Sequence, residues 1–272
     1  MKTNRKCIVF AGVAALTAAA GLARAEDAKV SGEVNLPVLS SYVWRGQTLN
    51  DKSVFQPNLT VSQYGFSLKA WANYNLDGSY GCYKNDDRNE FSQVVLAAAY
   101  ATQVGPDSCP VSVGGGVIQY LFPYQTQALS SNGLGRAAPG TREVYAAVGL
   151  PKVLLAPTLQ VNYDFDAADG FYANLGISQR FELAKDQVAL VASASLGAGS
   201  EKYNDLYFGK SRNALNDGLV GLALPIALSK SVTLTPAVQY MFLPDSTIRD
   251  AADATYGHQD RFVGSLNLNY AF

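Results

Sequence analysis

Apolar and polar side chains alternate one for one along many short stretches of this 272-residue chain. From Arg261 to the end, Phe262, Leu266, Leu268, Tyr270 and Phe272 fall on one face, and Arg261, Ser265, Asn267 and Asn269 on the other. A period of two with faces this cleanly separated predicts a β-strand with an apolar medium on one side and polar groups on the other. Phe55 to Ser62, Phe66 to Leu76 and Leu154 to Phe165 repeat the pattern. Val30 to Arg45, Arg142 to Leu150, Phe171 to Phe181, Val188 to Ala198, Leu219 to Leu228 and Val232 to Phe242 also read as strands, and Glu90 to Gln103 and Val111 to Phe122 as poorer ones. The chain therefore predicts about twelve antiparallel strands, joined alternately by short turns and by loops of roughly ten to eighteen residues.

That asymmetry predicts an all-β fold, a transmembrane barrel with short periplasmic turns and long extracellular loops. No period near 3.6 is sustained outside the amino-terminus, so no further helix is expected. Tyr42 and Trp44, at the far end of the first strand, are placed where an aromatic girdle meets the membrane interface. The Gly114–Gly116 run is expected to mark a bulge or a close approach inside.

Composition narrows the picture. Lys2, Arg5 and Lys6, then an apolar Ile8 to Leu22, then Ala23-Arg24-Ala25 form the pattern of a secretory signal peptide, with residues 1–25 removed and 26–272 forming the barrel. Without the leader's four basic residues, the 21 Lys and Arg fall to 17 against 22 acidic residues. That acidic balance excludes nucleic acid as a natural partner. The chain is 48% hydrophobic with 16 Tyr and 12 Phe, yet beyond the leader it has no apolar run long enough for a spanning helix.

Candidate chemistry is sparse. A single His, His258, cannot build a multi-histidine metal site or identify a catalytic triad, so no enzyme and no cofactor is expected. The acidic groups Asp86, Asp87 and Glu90, and Asp250 with Asp253, lack the spacing of a calcium loop. Cys82 falls in an outer loop and Cys109 at an inner turn, a strand apart, so the two are expected to stay unpaired. The alternation points Glu33, Arg45, Lys69, Asn73, Asn162, Asp164, Arg180 and Arg261 into the lumen, as pore-lining candidates.

Ser41-Tyr-Val-Trp-Arg-Gly46, Gly65-Phe-Ser-Leu-Lys-Ala-Trp-Ala-Asn-Tyr74, Arg142-Glu-Val-Tyr-Ala-Ala147 and Leu155 to Phe165 resemble a bacterial family of outer-membrane porins of the TorF type, the Gcw_chp-like proteins. The resemblance covers most of the chain after the leader; Cys82, Cys109 and the polar loop around Asp86 depart from it. It implies an outer-membrane barrel and a pore, with no substrate and no catalytic site attached. The aromatic end, Phe272, resembles the assembly signal of such barrels and implies contact with the barrel-assembly machinery. The expected activity is passive diffusion of small hydrophilic solutes across a Gram-negative outer membrane, in contact with its lipid. The alternative is a non-conducting structural barrel whose loops mediate binding or adhesion.

Overall fold

The computed structural model describes residues 29–77, 89–123, 140–257 and 259–272. Its wall is a closed antiparallel barrel of twelve staves. In chain order the strands are β1 (Ser31–Leu39), β2 (Tyr42–Trp44), β3 (Gln47–Asn50), β4 (Val54–Phe55), β5 (Asn58–Gln63), β6 (Phe66–Asn75), β7 (Glu90–Val104), β8 (Val111–Leu121), β9 (Gly140–Gly149), β10 (Thr158–Asp164), β11 (Gly170–Ala184) and β12 (Val188–Gly199). Helix α1 (Glu201–Phe208), β13 (Ala214–Ala223), β14 (Ile226–Ala227), β15 (Val232–Phe242), helix α2 (Ser246–Tyr256) and β16 (Asp260–Ala271) complete the chain. Two staves are interrupted: β4 and β5 at Gln56–Pro57, and β13 and β14 at Leu224–Pro225. Proline has no N–H for the ladder, which accounts for both gaps. Closure comes from β1 pairing with β16, from Glu33 opposite Ala271 to Leu39 opposite Ser265.

The predicted alternation sets the two faces. Leu36, Val38, Phe66, Leu68, Val117, Val144, Val148, Val220, Leu222, Leu266 and Leu268 are all exposed on the outside. An apolar surface this continuous has no place in water, and closing the sheet leaves no unpaired edge for lipid to meet. Aromatic pairs mark both rims. Tyr74 with Phe91, Tyr163 with Phe171 and Tyr240 with Phe262 lie at the loop end. Phe66 with Tyr100 and Tyr270 with Phe272 lie at the turn end.

Three sequence expectations are corrected. Tyr42 and Trp44 do not belong to a girdle: each is 1% exposed. The first wall strand stops at Leu39, and β2 and β3 form a separate two-stranded sheet that packs inside the barrel. Leu154 to Ala156 belong to a turn rather than a strand, with positive φ at Leu155 and Ala156, and β10 begins at Thr158. The loops after β12 and β15 each hold a helix. Helix α2 buries Ile248, Ala251, Ala252 and Tyr256, a helical spacing, and Asp245 caps it by accepting from the N–H groups of Thr247 and Ile248. The glycine run in β8 carries no bulge: pairing runs unbroken from Val94 opposite Leu121 to Val104 opposite Val111. It is instead a close approach, since a Cβ on Gly115 would come within 2.8 Å of the Tyr145 carbonyl oxygen.

The main apolar core thus lies inside the barrel at its loop end. There the hairpin's Tyr42, Trp44 and Leu49 meet the wall's Trp71, Tyr120 and Tyr172 and the helices' Tyr203, Tyr207, Ile248 and Tyr256.

Candidate functional site

The hairpin is built by local rules. Ser40 accepts from the Gly264 N–H at 3.0 Å, and Ser41 Oγ donates to the Asn50 carbonyl at 2.7 Å, which clamps the chain where it leaves and rejoins the wall. At the tip, Arg45 and Gly46 have φ of 45° and 82°. A two-residue turn with positive φ at both central positions suits the twist of a hairpin. A Cβ on Gly46 would lie 2.5 Å from Leu243 Cδ2, so the position favours glycine twice over. Every residue of β2 and β3 is buried, on both faces.

Side chains then fix the hairpin to the wall and the helices. The Tyr42 ring lies 5.8 Å from that of Trp71, and its hydroxyl donates to Gln93 Oε1 at 2.9 Å. Trp44 meets Tyr207 of α1 edge-on at 5.4 Å. The Tyr256 hydroxyl of α2 sits 2.7 Å from the Gln47 side-chain oxygen and 2.8 Å from the Tyr207 carbonyl, joining hairpin and both helices. Asn50 Nδ2 donates to Asn75 Oδ1 at 2.9 Å, and Asn73 extends this amide network to Gln56 and Ser92. Burial pushes the hydroxyls of Tyr203 and Tyr207 above the ordinary phenol range, so both stay neutral.

Arg45 points from the tip into the lumen. Its guanidinium lies 4.1 Å from the Tyr172 ring centre and 4.5 Å from that of Trp44. It forms a two-pronged pair with Glu143 of β9, Nη1 to Oε1 at 2.8 Å and Nη2 to Oε2 at 3.0 Å. Tyr120 and Asn162 also donate to Glu143 Oε2, at 2.9 and 2.8 Å. A carboxylate 1% exposed tolerates its charge only with such a complete set of donors. On the far side of Tyr172, its hydroxyl donates to Asp217, 2.9 Å from Oδ1. A Cβ on Gly197 would collide with both Tyr172 and Asp217, so the bare glycine leaves them their place.

Toward the turn end of the lumen lies a cavity of about 420 Å³. Arg45, Tyr172 and Asp217 border it on the hairpin side, and polar side chains such as Ser193, Ser195 and Asn174 interrupt a wall that is otherwise mainly apolar, with Ile118, Leu159, Leu219 and Met241 among its residues.

The structure divides the sequence-predicted residues. Arg45 and Asn162 border the cavity. Asn73 lies in the amide network. Asp164 accepts from Thr141 Oγ1 at 2.8 Å and from the N–H of Ala167 at 2.9 Å, which shapes the short loop before β11. Glu33 and Lys69 share one row of the wall, each opposite Thr60. Arg180 is mostly exposed and pairs with Glu182 at 2.6 Å. Arg261 donates to the Asp51 carbonyl at 2.6 Å and to Ser41 Oγ at 3.2 Å, bracing the hairpin's base. Cys109 is exposed with a free thiol. Cys82, Asp86, Asp87 and His258 lie outside the described residues. Among the described residues no group of acids, His and Cys is arranged to hold a metal.

Sequence reasoning missed Glu143, Tyr120, Tyr172, Trp71 and Asp217. Glu143 was legible, since it alternates with the outward Val144 and Val148. Asp217 was not: β12 and β13 shift register between Gly197 and Ala198, and both Asn216 and Asp217 turn inward.

Residues 23–247 match the model of a family described as "Bacterial protein of unknown function (Gcw_chp)". No curated protein matches. Among solved structures, the COG4313 outer membrane channel from Pseudomonas putida F1 aligns with a TM-score of 0.51 at 9% identity, over 89% of this chain and 95% of that one. The NanC porin aligns with a TM-score of 0.47 at 12% identity, over 89% and 98%. The KdgM porin gives 0.47 at 9%, over 89% and 99%. The likeness to the COG4313 channel shows a shared barrel fold.

Proposed function

We propose that this chain, which belongs to the Gcw_chp family of bacterial proteins of unknown function, is an outer-membrane channel for small hydrophilic solutes, narrowed by its own β2–β3 hairpin. The observation that carries the reading is a cavity of about 420 Å³, bordered by Arg45, Asp217 and several hydroxyl and amide side chains, inside a lipid-compatible wall. A barrel that served only as a structural element would gain more from filling that space with packed side chains. Twelve strands enclose a bore between the filled eight-stranded and the wide sixteen-stranded barrels, which suits a narrow pathway. The short turns are assigned to the periplasm and the hairpin with its helices to the outside. The Arg45–Glu143 pair would hold the hairpin in the lumen, and its release would widen the path.

One observation favours the alternative, a closed barrel that works through its loop end: Tyr42, Trp44, Tyr203 and Tyr256 fill that end with almost no exposure. Single-channel recording of the refolded protein in planar bilayers under a salt gradient separates the two. Discrete steps with a reproducible reversal potential support the channel. A barrel that is folded by heat-modifiable gel mobility and yet silent supports the alternative.

A further inference from the structure

We infer that the lumen cavity is a subsite for neutral, hydroxylated solutes of mono- to disaccharide size, a reading that deepens the channel proposal and rests on it. Size comes first. At about 420 Å³ the cavity falls at the small end of ligand pockets, about 300–1,000 Å³.

Charge comes second. Among the described residues, the charged side chains bordering the cavity are Arg45 and Asp217. Arg45 is held by both oxygens of Glu143, and Asp217 by the Tyr172 hydroxyl. Both side chains are almost fully buried. An anionic solute would shed its hydration and find Arg45 already paired, a net penalty, and Asp217, buried and bonded to the Tyr172 hydroxyl, presents little of its carboxylate to a cationic one.

Donor type comes third. Asn174, Ser178, Ser193, Ser195 and Gln239 line the cavity, and their side chains make no hydrogen bond to another described residue. They form one connected patch. Ser178 stands opposite Ser193 and Gly176 opposite Ser195 across β11 and β12. Gly221 joins Ser193 on one side to Gln239 on the other. The glycines keep this patch recessed. Hydroxyls and amides both donate and accept, which is what a run of sugar hydroxyls requires and what a carboxylate or ammonium cannot fully use. Beside the patch, Leu219 opposite Ser195, Met241 opposite Leu219 and Val43 of the hairpin supply an apolar strip. A pyranose has the same division, a hydroxyl rim and apolar C–H faces.

The test loads proteoliposomes containing the refolded protein and follows swelling in a neutral hexose, in its uronate and in its 2-amino analogue, with potassium chloride conductance recorded in parallel. The neutral sugar is expected to enter several-fold faster than either charged analogue. Ser193→Val with Ser195→Val is expected to remove most of that preference. Equal rates for all three solutes, or faster entry of a charged one, would overturn the inference while leaving the channel standing. If no conductance is seen at all, the channel reading fails, and calorimetry on the detergent-folded barrel decides the subsite. Binding of the neutral sugar, lost in the double-serine variant, then supports the cavity assignment, and no binding overturns it.

Discussion

Replacing Glu143 by Gln attacks the hairpin at its strongest anchor. Glu143 accepts from both terminal nitrogens of Arg45, from Tyr120 and from Asn162, all within 2.8–3.0 Å. The Gln side chain keeps the shape but removes the charge, and its amide N–H₂ replaces an acceptor that these donors used. Arg45 is then left as a buried cation without its carboxylate, compensated by the faces of Trp44 and Tyr172 and a long hydrogen bond to the Tyr203 hydroxyl. Breaking a buried pair by removing one partner costs about 3–5 kcal/mol. The least disruptive relief is to lift the tip so that Arg45 reaches water, because the wall's backbone ladder need not open. At about 1.4 kcal/mol per tenfold, the hairpin's in-to-out equilibrium would move by roughly 10² to 10⁴. Single-channel recordings of E143Q are expected to show larger or far more frequent openings than the parent. The double variant Arg45→Met with Glu143→Gln removes the stranded cation and is expected to return toward the parent. A folded E143Q barrel with unchanged step size and open time would refute the latch.

Further perturbations test neighbouring parts. Gly46→Ala places a Cβ in the left-handed region and against Leu243, a strain of about 1–2 kcal/mol before any displacement; limited proteolysis is expected to cut the hairpin faster than in the parent. Asp245→Ala removes the cap on the Thr247 and Ile248 N–H groups, 2.9 and 3.1 Å away, and the pair with Arg212 at 3.1 Å. A loss of about 1 kcal/mol is expected, read as faster amide exchange across 246–256 with the wall strands unaffected. Alkaline pH should loosen the loop-end core. Tyr203 and Tyr207 have raised pKa values through burial, so the stability they confer is complete below the unfolded phenol value of about 10 and declines as the pH rises above it. Tyrosinate absorbance that lags behind that of free tyrosine and then rises together with conductance would bear this out; titration of all tyrosines near 10 with no change in conductance would count against it.

The wall was legible because a barrel in lipid imposes a strict period of two. In β16 and β6 the outward and inward sets read from the sequence are those observed: Phe262, Leu266, Leu268 and Phe66, Leu68 face out. The inward hairpin was legible only as a break in that rule. Tyr42-Val43-Trp44 is apolar on consecutive positions, which a strand between lipid and water cannot satisfy on both faces, and the Arg-Gly pair after it is a turn. Reading those aromatics as a girdle favoured the local pattern over that break. Trp71 gave a similar signal, an aromatic on the polar face of β6 that only an apolar occupant of the lumen explains. Helix α1 has eight residues, too few for a helical period to stand out; it is held by Tyr203, Tyr207 and Phe208 packing in the loop-end core. The Asp217 position depends on the register shift between β12 and β13, which no period in the sequence records, and tertiary structure alone reveals it.

Deleting the hairpin tests the central claim most directly. A variant in which residues 42–50 are replaced by a short Gly-Ser link between Ser41 and Asp51 keeps every wall strand. Recorded beside the parent in planar bilayers, it is expected to conduct in large, steady steps where the parent shows small or infrequent ones. A folded deletion barrel with the parent's conductance, or with none, would contradict the account.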